Sequence, residues 1–76
     1  MKEILETVIK NLVTNQEEIS INEINGEKSI IFEVKVAQSD MGRVIGKEGR
    51  VAKAIRTLMK AVATKEGKRV SIEFIE

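Results

Sequence analysis

The stretch VIGKEGRVAKAIR, residues 44–56, contains a break between two segments of helical character. Gly46 and Gly49 stand three residues apart, with Lys47 and Glu48 between them. Glycine has no Cβ and costs more backbone entropy in a helix than other residues, so it is common where a helix stops. The pattern predicts a short helix that ends at Gly46 and a second helix that begins after Gly49.

The second helix is predicted to be amphipathic, because residues three or four apart share one side of a helix. Its apolar face, which we expect to pack in the core, consists of Val51, Ala54, Ile55, Leu58, Met59 and Val62. Its opposite face is basic and consists of Arg50, Lys53, Arg56 and Lys60.

This helix start has the chemistry of an anion site. The first amides of a helix lack intrahelical partners, and the helix dipole places partial positive charge there. Glycine at positions 46 and 49 lets a phosphate chain approach the backbone closely, and Lys47 adds a charge beside it. An ordinary turn between two packed helices, with a solvated basic face, is the alternative interpretation of the same residues.

The residues before the break predict one helix and two strands. An apolar stripe with pairs four residues apart indicates a packing helix over residues 2–14. Alternating apolar and polar residues then predict strands near 18–24 and 28–36. Asn25-Gly26 between them predicts a type I′ hairpin turn, which needs positive φ at both central residues. Phe32 lies on the face of the second strand that we expect to be buried.

The remaining elements follow from caps and alternation. Ser39 or Asp40 is predicted to cap the short helix with its side chain. Gly67 is predicted to end the long helix as its C′ residue. Val70, Ile72 and Phe74 alternate with other residues and predict a final strand whose apolar side, including Phe74, is core.

The order α-β-β-α-α-β predicts an α+β fold. A two-helix crossover usually returns a strand parallel to the previous one, whereas a hairpin pairs strands antiparallel. We therefore expect a three-stranded mixed sheet with three helices packed on one face. We expect residues 1–76 to form a single domain.

Composition excludes several kinds of chemistry. The chain has no cysteine and no histidine, which removes disulfides, thiolate metal sites and the commonest general base. Nothing predicts a catalytic residue, a metal site or a cofactor, so an enzyme is the weakest hypothesis. The absence of cysteine favours a reducing cytoplasm, and charged residues in the first helix argue against a membrane span.

Charge is unevenly distributed along the chain. The net charge is +1, but residues 1–42 carry four basic against eight acidic residues, whereas residues 43–69 carry nine basic against two acidic. A basic block of this kind favours a polyanionic partner.

The run GRVIGKEGRVAKAIR, residues 42–56, resembles the core of a KH domain, in which an aliphatic pair precedes a Gly-x-x-Gly loop between two helices. The order of elements matches the type II, prokaryotic form of that fold. Residues 38–50, QSDMGRVIGKEGR, are similar to the small stand-alone bacterial KH proteins of the KhpA family.

The resemblance implies a set of nucleic-acid contacts. Gly46, Lys47, Glu48 and Gly49 would clamp about four backbone nucleotides of a single strand. Groove-lining aliphatic residues would be Ile45, Ala52 and Ile55, and basic contacts would come from Arg43, Arg50, Lys53 and Arg56. Two of these depart from the family pattern: Ala52 is smaller than the usual aliphatic residue, and Glu48 places a negative charge in the loop.

The same resemblance implies a non-catalytic RNA chaperone or regulator that binds single-stranded RNA. RNA rather than single-stranded DNA is implied by the family alone. It further implies a homodimer or a complex with a larger RNA-binding KH protein. The alternative is an assembly module that uses the KH fold for protein contacts and has little RNA affinity of its own. Loss of RNA binding on substitution of the loop glycines would distinguish the two.

Overall fold

The elements follow the predicted order. Apolar and polar residues alternate in the second and third strands, and apolar residues recur at helical spacing in the helices. The computed structural model describes residues 1–75. Its helices and strands are α1 (Lys2–Lys10), β1 (Ser20–Asn25), β2 (Ser29–Lys35), α2 (Met41–Ile45), α3 (Arg50–Lys65) and β3 (Arg69–Ile75). Single 3-10 turns at Gln16–Glu18, Gln38–Asp40 and Lys47–Gly49 were not predicted.

The sheet is mixed and has the order β1-β2-β3. β1 pairs antiparallel with β2, and β3 pairs parallel with β2. On its covered face, Phe32 in the central strand lies opposite Ile72 in β3 and is fully buried. That face forms one core with the inner sides of the helices, whose buried members are Leu5, Ile9, Val44, Ile55 and Met59. The predicted α+β fold with helices on one face of a mixed sheet is confirmed.

The hairpin between β1 and β2 is confirmed, but the predicted type I′ turn is wrong. Asn25 pairs with Ile30, so four residues rather than two connect the paired positions. The Gly26 amide donates a hydrogen bond to the Ser29 carbonyl at 2.7 Å. Neither Asn25 nor Gly26 has positive φ. The connection is therefore formed by residues 26–29 and is not a primed turn at Asn25-Gly26.

The first helix is shorter than predicted, because its last predicted turn has other hydrogen-bond partners. α1 ends at Lys10, not at residue 14. The Lys10 carbonyl, which a continuing helix would pair with the Thr14 amide, accepts a bond from Gln16 Nε2 at 3.1 Å. The Thr14 amide donates instead to Asp40 Oδ1 at 3.1 Å.

Asp40 is the centre of the contact between the end of the α1 segment and α2. Its side chain is 1% exposed. Oδ1 accepts bonds from the Thr14 amide and hydroxyl, at 3.1 and 2.9 Å. Oδ2 accepts bonds from the Asn15 amide and side chain, at 3.0 and 3.2 Å. The prediction that Asp40 or Ser39 caps α2 is wrong, because no side-chain hydrogen bond caps that helix and both side chains contact Asn15 instead.

These hydrogen bonds favour the ionised form of Asp40. The backbone amide of Asn15, and then that of Thr14, lower the pKa of Asp40 from 3.8 to about 2, against the opposing effect of burial. The carboxylate therefore stays charged over the whole neutral and mildly acidic range.

The break between α2 and α3 lies where the glycines predict it. Gly46 has φ 78° and ψ 173°, and Gly49 has φ 74° and ψ 15°. A Cβ on Gly46 would lie 2.8 Å from the backbone nitrogen of Val51, whereas a Cβ on Gly49 would meet no atom within 4 Å. A side chain at position 46 would thus collide with Val51, so the turn requires glycine there for packing. At position 49 glycine is required only because the backbone has positive φ.

The buried side of α3 is rotated relative to the prediction. Its buried residues are Ala52, Ile55, Met59 and Ala63. Leu58, which we expected in the core, is 43% exposed, and Ala54 is exposed as well. The buried side thus includes the small Ala52 and Ala63, and Leu58 lies on the side of α3 that borders Val8 and Leu12. Gly67, at φ 70°, ends the helix as predicted, with the Lys68 amide bonded to the Ala63 carbonyl at 2.9 Å.

We expect Asp40→Asn to lower the melting temperature by several degrees at neutral pH. An asparagine NH₂ would replace one carboxylate oxygen and would face the backbone N–H and the side-chain donor from which that oxygen accepts. Because the folded pKa of Asp40 lies below its unfolded value, its stabilising contribution is complete above about pH 4 and is lost as the pH falls toward about 2. Thermal unfolding of both proteins between pH 7 and pH 2 measures this, and melting curves that stay equally far apart at every pH would contradict it.

We expect the two loop glycines to differ in their tolerance of alanine. Gly46→Ala should lower the free energy of unfolding by about 2 kcal/mol or more, because strain at positive φ adds to the contact with Val51. Gly49→Ala should cost about 1 kcal/mol, for the backbone strain alone. Urea denaturation of both variants is the measurement, and equal losses would show that the Val51 contact is relieved at no cost.

Candidate nucleic-acid interface

The loop between α2 and α3 presents its backbone to solvent at the start of a 16-residue helix. Within the loop, the Gly49 amide donates to the Gly46 carbonyl at 3.2 Å, and the Arg50 amide donates to the Lys47 carbonyl. The next amides of α3, those of Val51 and Ala52, precede the first i to i−4 bond of the helix. With no side chain on Gly49, a ligand can approach this helix end as closely as the backbone allows.

Three exposed basic side chains surround this helix end: Lys47, Arg50 and Lys53. The structure therefore brings together the loop and the basic residues that the sequence predicted as a site. None of the three side chains forms a hydrogen bond within residues 1–75. Lys47 and Lys53 also form no ion pair among the described residues, and the one ion pair of Arg50 is with the exposed Glu48.

Glu48 is the exception in this basic surrounding. It is the one non-glycine residue with positive φ, 57°, in the described part of the chain. Its Oε2 lies 3.9 Å from Arg50 Nη2, and both side chains are more than 70% exposed. An ion pair with that exposure contributes little to stability. Its effect is to place a negative charge beside Arg50, where a phosphate would otherwise be attracted.

Arg43 lies on α2, one turn before the loop. Its Nε is 3.5 Å from Asp40 Oδ1, and its side chain is 59% exposed. Arg43 thus forms an ion pair with a buried carboxylate while most of its side chain stays accessible to solvent.

The predicted groove-lining residues divide into two groups. Ile45 is half-buried and adjoins the loop. Ala52 and Ile55 are only 2% and 3% exposed. These two side chains pack α3 against the core. Their contact with bases stays a prediction, and it is limited to the small area that they expose.

Arg56 contacts β3, which the sequence did not predict. Its Nε donates a hydrogen bond to the Ile72 carbonyl at 3.2 Å, and its Cζ lies 5.3 Å from the centroid of the Phe74 ring. Phe74, expected in the core, is half-buried and lies beneath the guanidinium. The alternation of β3 shows which residues share a face, but it contains no signal for the orientation of an arginine on a neighbouring helix.

On the other side of α3, a shallow apolar groove separates it from α1. Its volume is about 350 Å³. The lining residues are Val8, Leu12, Arg50, Val51, Ala54, Ile55 and Leu58. The sequence missed this groove because Leu58 and Ala54 were expected to be covered by the core.

Comparison with known proteins agrees with this geometry. A family model described as KhpA/KhpB, KH domain, matches residues 2–74. RNA-binding protein KhpA of Clostridium acetobutylicum is 59% identical over 75 residues, which cover 99% of this chain and 100% of the relative. The Chlamydia pneumoniae protein of the same name is 53% identical over 76 residues, 100% of this chain and 97% of the relative.

A third relative, RNA-binding protein KhpA of Caldanaerobacter subterraneus subsp. tengcongensis, is 57% identical over 99% of this chain and 100% of its own length. These matches extend over all the elements described above, including the loop and the basic start of α3. KH domains bind nucleic acid and are not a catalytic family. The chain belongs to the KhpA/KhpB family of KH domains.

Proposed function

We propose that the protein binds single-stranded RNA and holds its sugar-phosphate backbone at residues 46–49. The observation that carries the proposal is the start of α3, where a loop open at Gly49 leads into helix amides surrounded by Lys47, Arg50 and Lys53. Three relatives that match almost the whole chain are named RNA-binding proteins, which supports the same assignment.

In this proposal the phosphates provide most of the binding free energy. A phosphate would approach the loop backbone at Gly49, beside the positive end of the α3 dipole, and the neighbouring cations would neutralise the adjacent phosphates. Neutralising about three or four phosphates of a single strand predicts a slope of about −2 to −3 for log K against log salt concentration. Glu48 should reduce the affinity, because its carboxylate competes for Arg50.

A short strand bound mainly through its backbone suits an RNA chaperone or regulator, which is the cellular role we propose. Such contacts are modest in affinity and transient, so RNA can be held in an unpaired state and released. The same proposal locates the protein in the cytoplasm. Within residues 1–75, no helix has both the length and the apolar character needed to cross a membrane.

The second candidate function is assembly through the apolar groove between α1 and α3. Leu58 is 43% exposed at its rim, and large exposed apolar side chains grouped in a groove favour a protein contact. A homodimer or a larger KH-domain protein would cover it. Pairing would also raise the affinity for RNA, since two linked sites increase the effective concentration of the second.

We expect Gly49→Asp to abolish binding of a short single-stranded RNA, because it adds a carboxylate where the phosphate approaches. Gly67→Asp is the matched control. Both glycines have φ near 70° and open space around a Cβ, so the two variants share backbone strain and charge change, but Gly67 lies at the far end of α3. Fluorescence anisotropy at several salt concentrations, with circular dichroism to check folding, is the measurement.

Binding that survives in folded Gly49→Asp, or that falls equally in Gly67→Asp, would contradict the clamp. A wild type that binds no RNA at any salt concentration would instead favour the assembly function. A single-stranded DNA of the same sequence tests whether the 2′-hydroxyl matters.

We expect Leu58→Glu to weaken self-association by at least tenfold, because a carboxylate would be desolvated in the apolar groove. Thr57→Glu adds the same charge one residue away, at an exposed position outside the groove lining. Sedimentation velocity over a range of concentrations measures the dissociation constant. A wild type that stays monomeric, or equal weakening by both variants, would show that the groove is not the contact.

A further inference from the structure

The buried carboxylate of Asp40 has an accessible cation beside it. Arg43 Nε lies 3.5 Å from Asp40 Oδ1, and the two residues are three positions apart in the chain. The side chain of Arg43 is 59% exposed, whereas that of Asp40 is 1% exposed. One ion pair therefore joins a group inside the protein to a cation that a ligand can reach.

The carboxylate in this ion pair has a fixed position. Oδ1 accepts from the amide and hydroxyl of Thr14, and Oδ2 accepts from the amide and side chain of Asn15. These bonds, first of all that from the Asn15 amide, lower the pKa of Asp40 to about 2, so the group is charged at neutral pH. If the carboxylate turned away, it would leave buried donors unpaired. Arg43 thus pairs with an anion that cannot easily move.

The cations at the start of α3 have no such partner within residues 1–75. Lys47 and Lys53 form neither a hydrogen bond nor an ion pair there. Arg50 pairs with Glu48, whose side chain is 74% exposed. Because exposed ion pairs are weak, they restrain long side chains little. Arg43 differs from these cations in having a buried partner.

Arg43 is also close to the loop. It precedes Gly46 by three residues in α2, which is less than one helical turn and corresponds to about 5 Å along the helix axis. A strand whose backbone lies at residues 46–49 would have its neighbouring phosphate within reach of this side chain.

We propose that Asp40 is a positioning residue for RNA binding, which holds the guanidinium of Arg43 in the orientation that meets a backbone phosphate beside the loop. Arg43 makes the contact, and Asp40 acts through it. A guanidinium has five N–H donors in a rigid plane, so it can pair with a carboxylate and a phosphate at once. The inference rests on the proposed RNA-binding function and adds to it a residue that the RNA does not touch.

Charge alone predicts the opposite effect. A carboxylate 3.5 Å from Arg43 reduces the positive potential there, so its removal should strengthen the attraction of a phosphate. Positioning predicts weaker binding, because a guanidinium that is already held loses less rotamer freedom when it binds. A role in stability alone predicts no change in the affinity of the folded protein. The direction of the change in RNA affinity therefore distinguishes the three roles of Asp40.

The experiment measures binding of the full chain to a short single-stranded RNA by fluorescence anisotropy, well below the melting temperature of every variant. Asp40→Asn should weaken binding about 5-fold, because the orientation of Arg43 is lost. Thr14→Val is the matched control, since it removes one hydrogen bond to the same carboxylate and keeps the charge beside Arg43. It should lower the melting temperature and leave the RNA affinity unchanged.

A double-mutant cycle tests whether Asp40 acts through Arg43. Arg43→Gln should weaken binding about 10-fold by itself and about 2-fold when Asp40→Asn is already present. If Asp40 acted by placing the loop instead, the effects of the two substitutions would multiply.

A second measurement keeps the Asp40 network intact, in case Asp40→Asn folds poorly. Arg43→Lys retains the charge but replaces the planar fork with a single ammonium, so it should weaken binding about 3-fold. Arg50→Lys is its control and should change the affinity less, because the partner of Arg50 is exposed.

The outcomes separate this inference from the proposed function. A wild type that binds no RNA overturns RNA binding itself. Wild-type binding together with equal or tighter binding by Asp40→Asn overturns the role of Asp40 and leaves the clamp at residues 46–49 intact. Equal weakening by Thr14→Val, effects that multiply in the cycle, or full affinity in Arg43→Lys would overturn that role as well.

Discussion

The buried carboxylate of Asp40 connects α1 with α2. Its oxygens accept from the amides and side chains of Thr14 and Asn15, so the segment after α1 is tied to the turn that leads into α2. α2 has only five residues and could not be placed by its own stability. Because the loop at residues 46–49 follows α2 directly, the position of that loop depends on this buried charge.

α3 serves two surfaces with different chemistry. Toward β3 it carries Arg56 over Phe74, and toward α1 it borders the apolar groove with Leu58 at the rim. Its alanines, Ala52 and Ala63, are buried on the side of the helix that packs in the core. The arrangement places the basic start of the helix next to both surfaces, since Arg50 also lines the groove.

Local patterns predicted the fold and the place of the site, and contacts between distant residues account for the errors. The order of elements, the mixed sheet and the break at Gly46 and Gly49 follow from spacing of two, three or four residues. The end of α1 depends on Asp40, which lies 26 residues from Thr14. The turn between β1 and β2 depends on register, and the orientation of Arg56 depends on a carbonyl in another element. None of these contacts has a local signal in the sequence.

The parallel pairing of β2 with β3 has a consequence for how the chain folds. Ser29 pairs with Arg69, so the sheet closes only after α2 and α3 have been placed between them, whereas β1 and β2 are neighbours in sequence. Closing so long a segment costs chain entropy before any contact offsets it, which makes non-local pairing slow. Until then, the apolar side of β2 and one of its edges remain open. An intermediate with an exposed strand therefore persists until α3 has formed. The longer it persists, the greater the chance that two such chains associate wrongly.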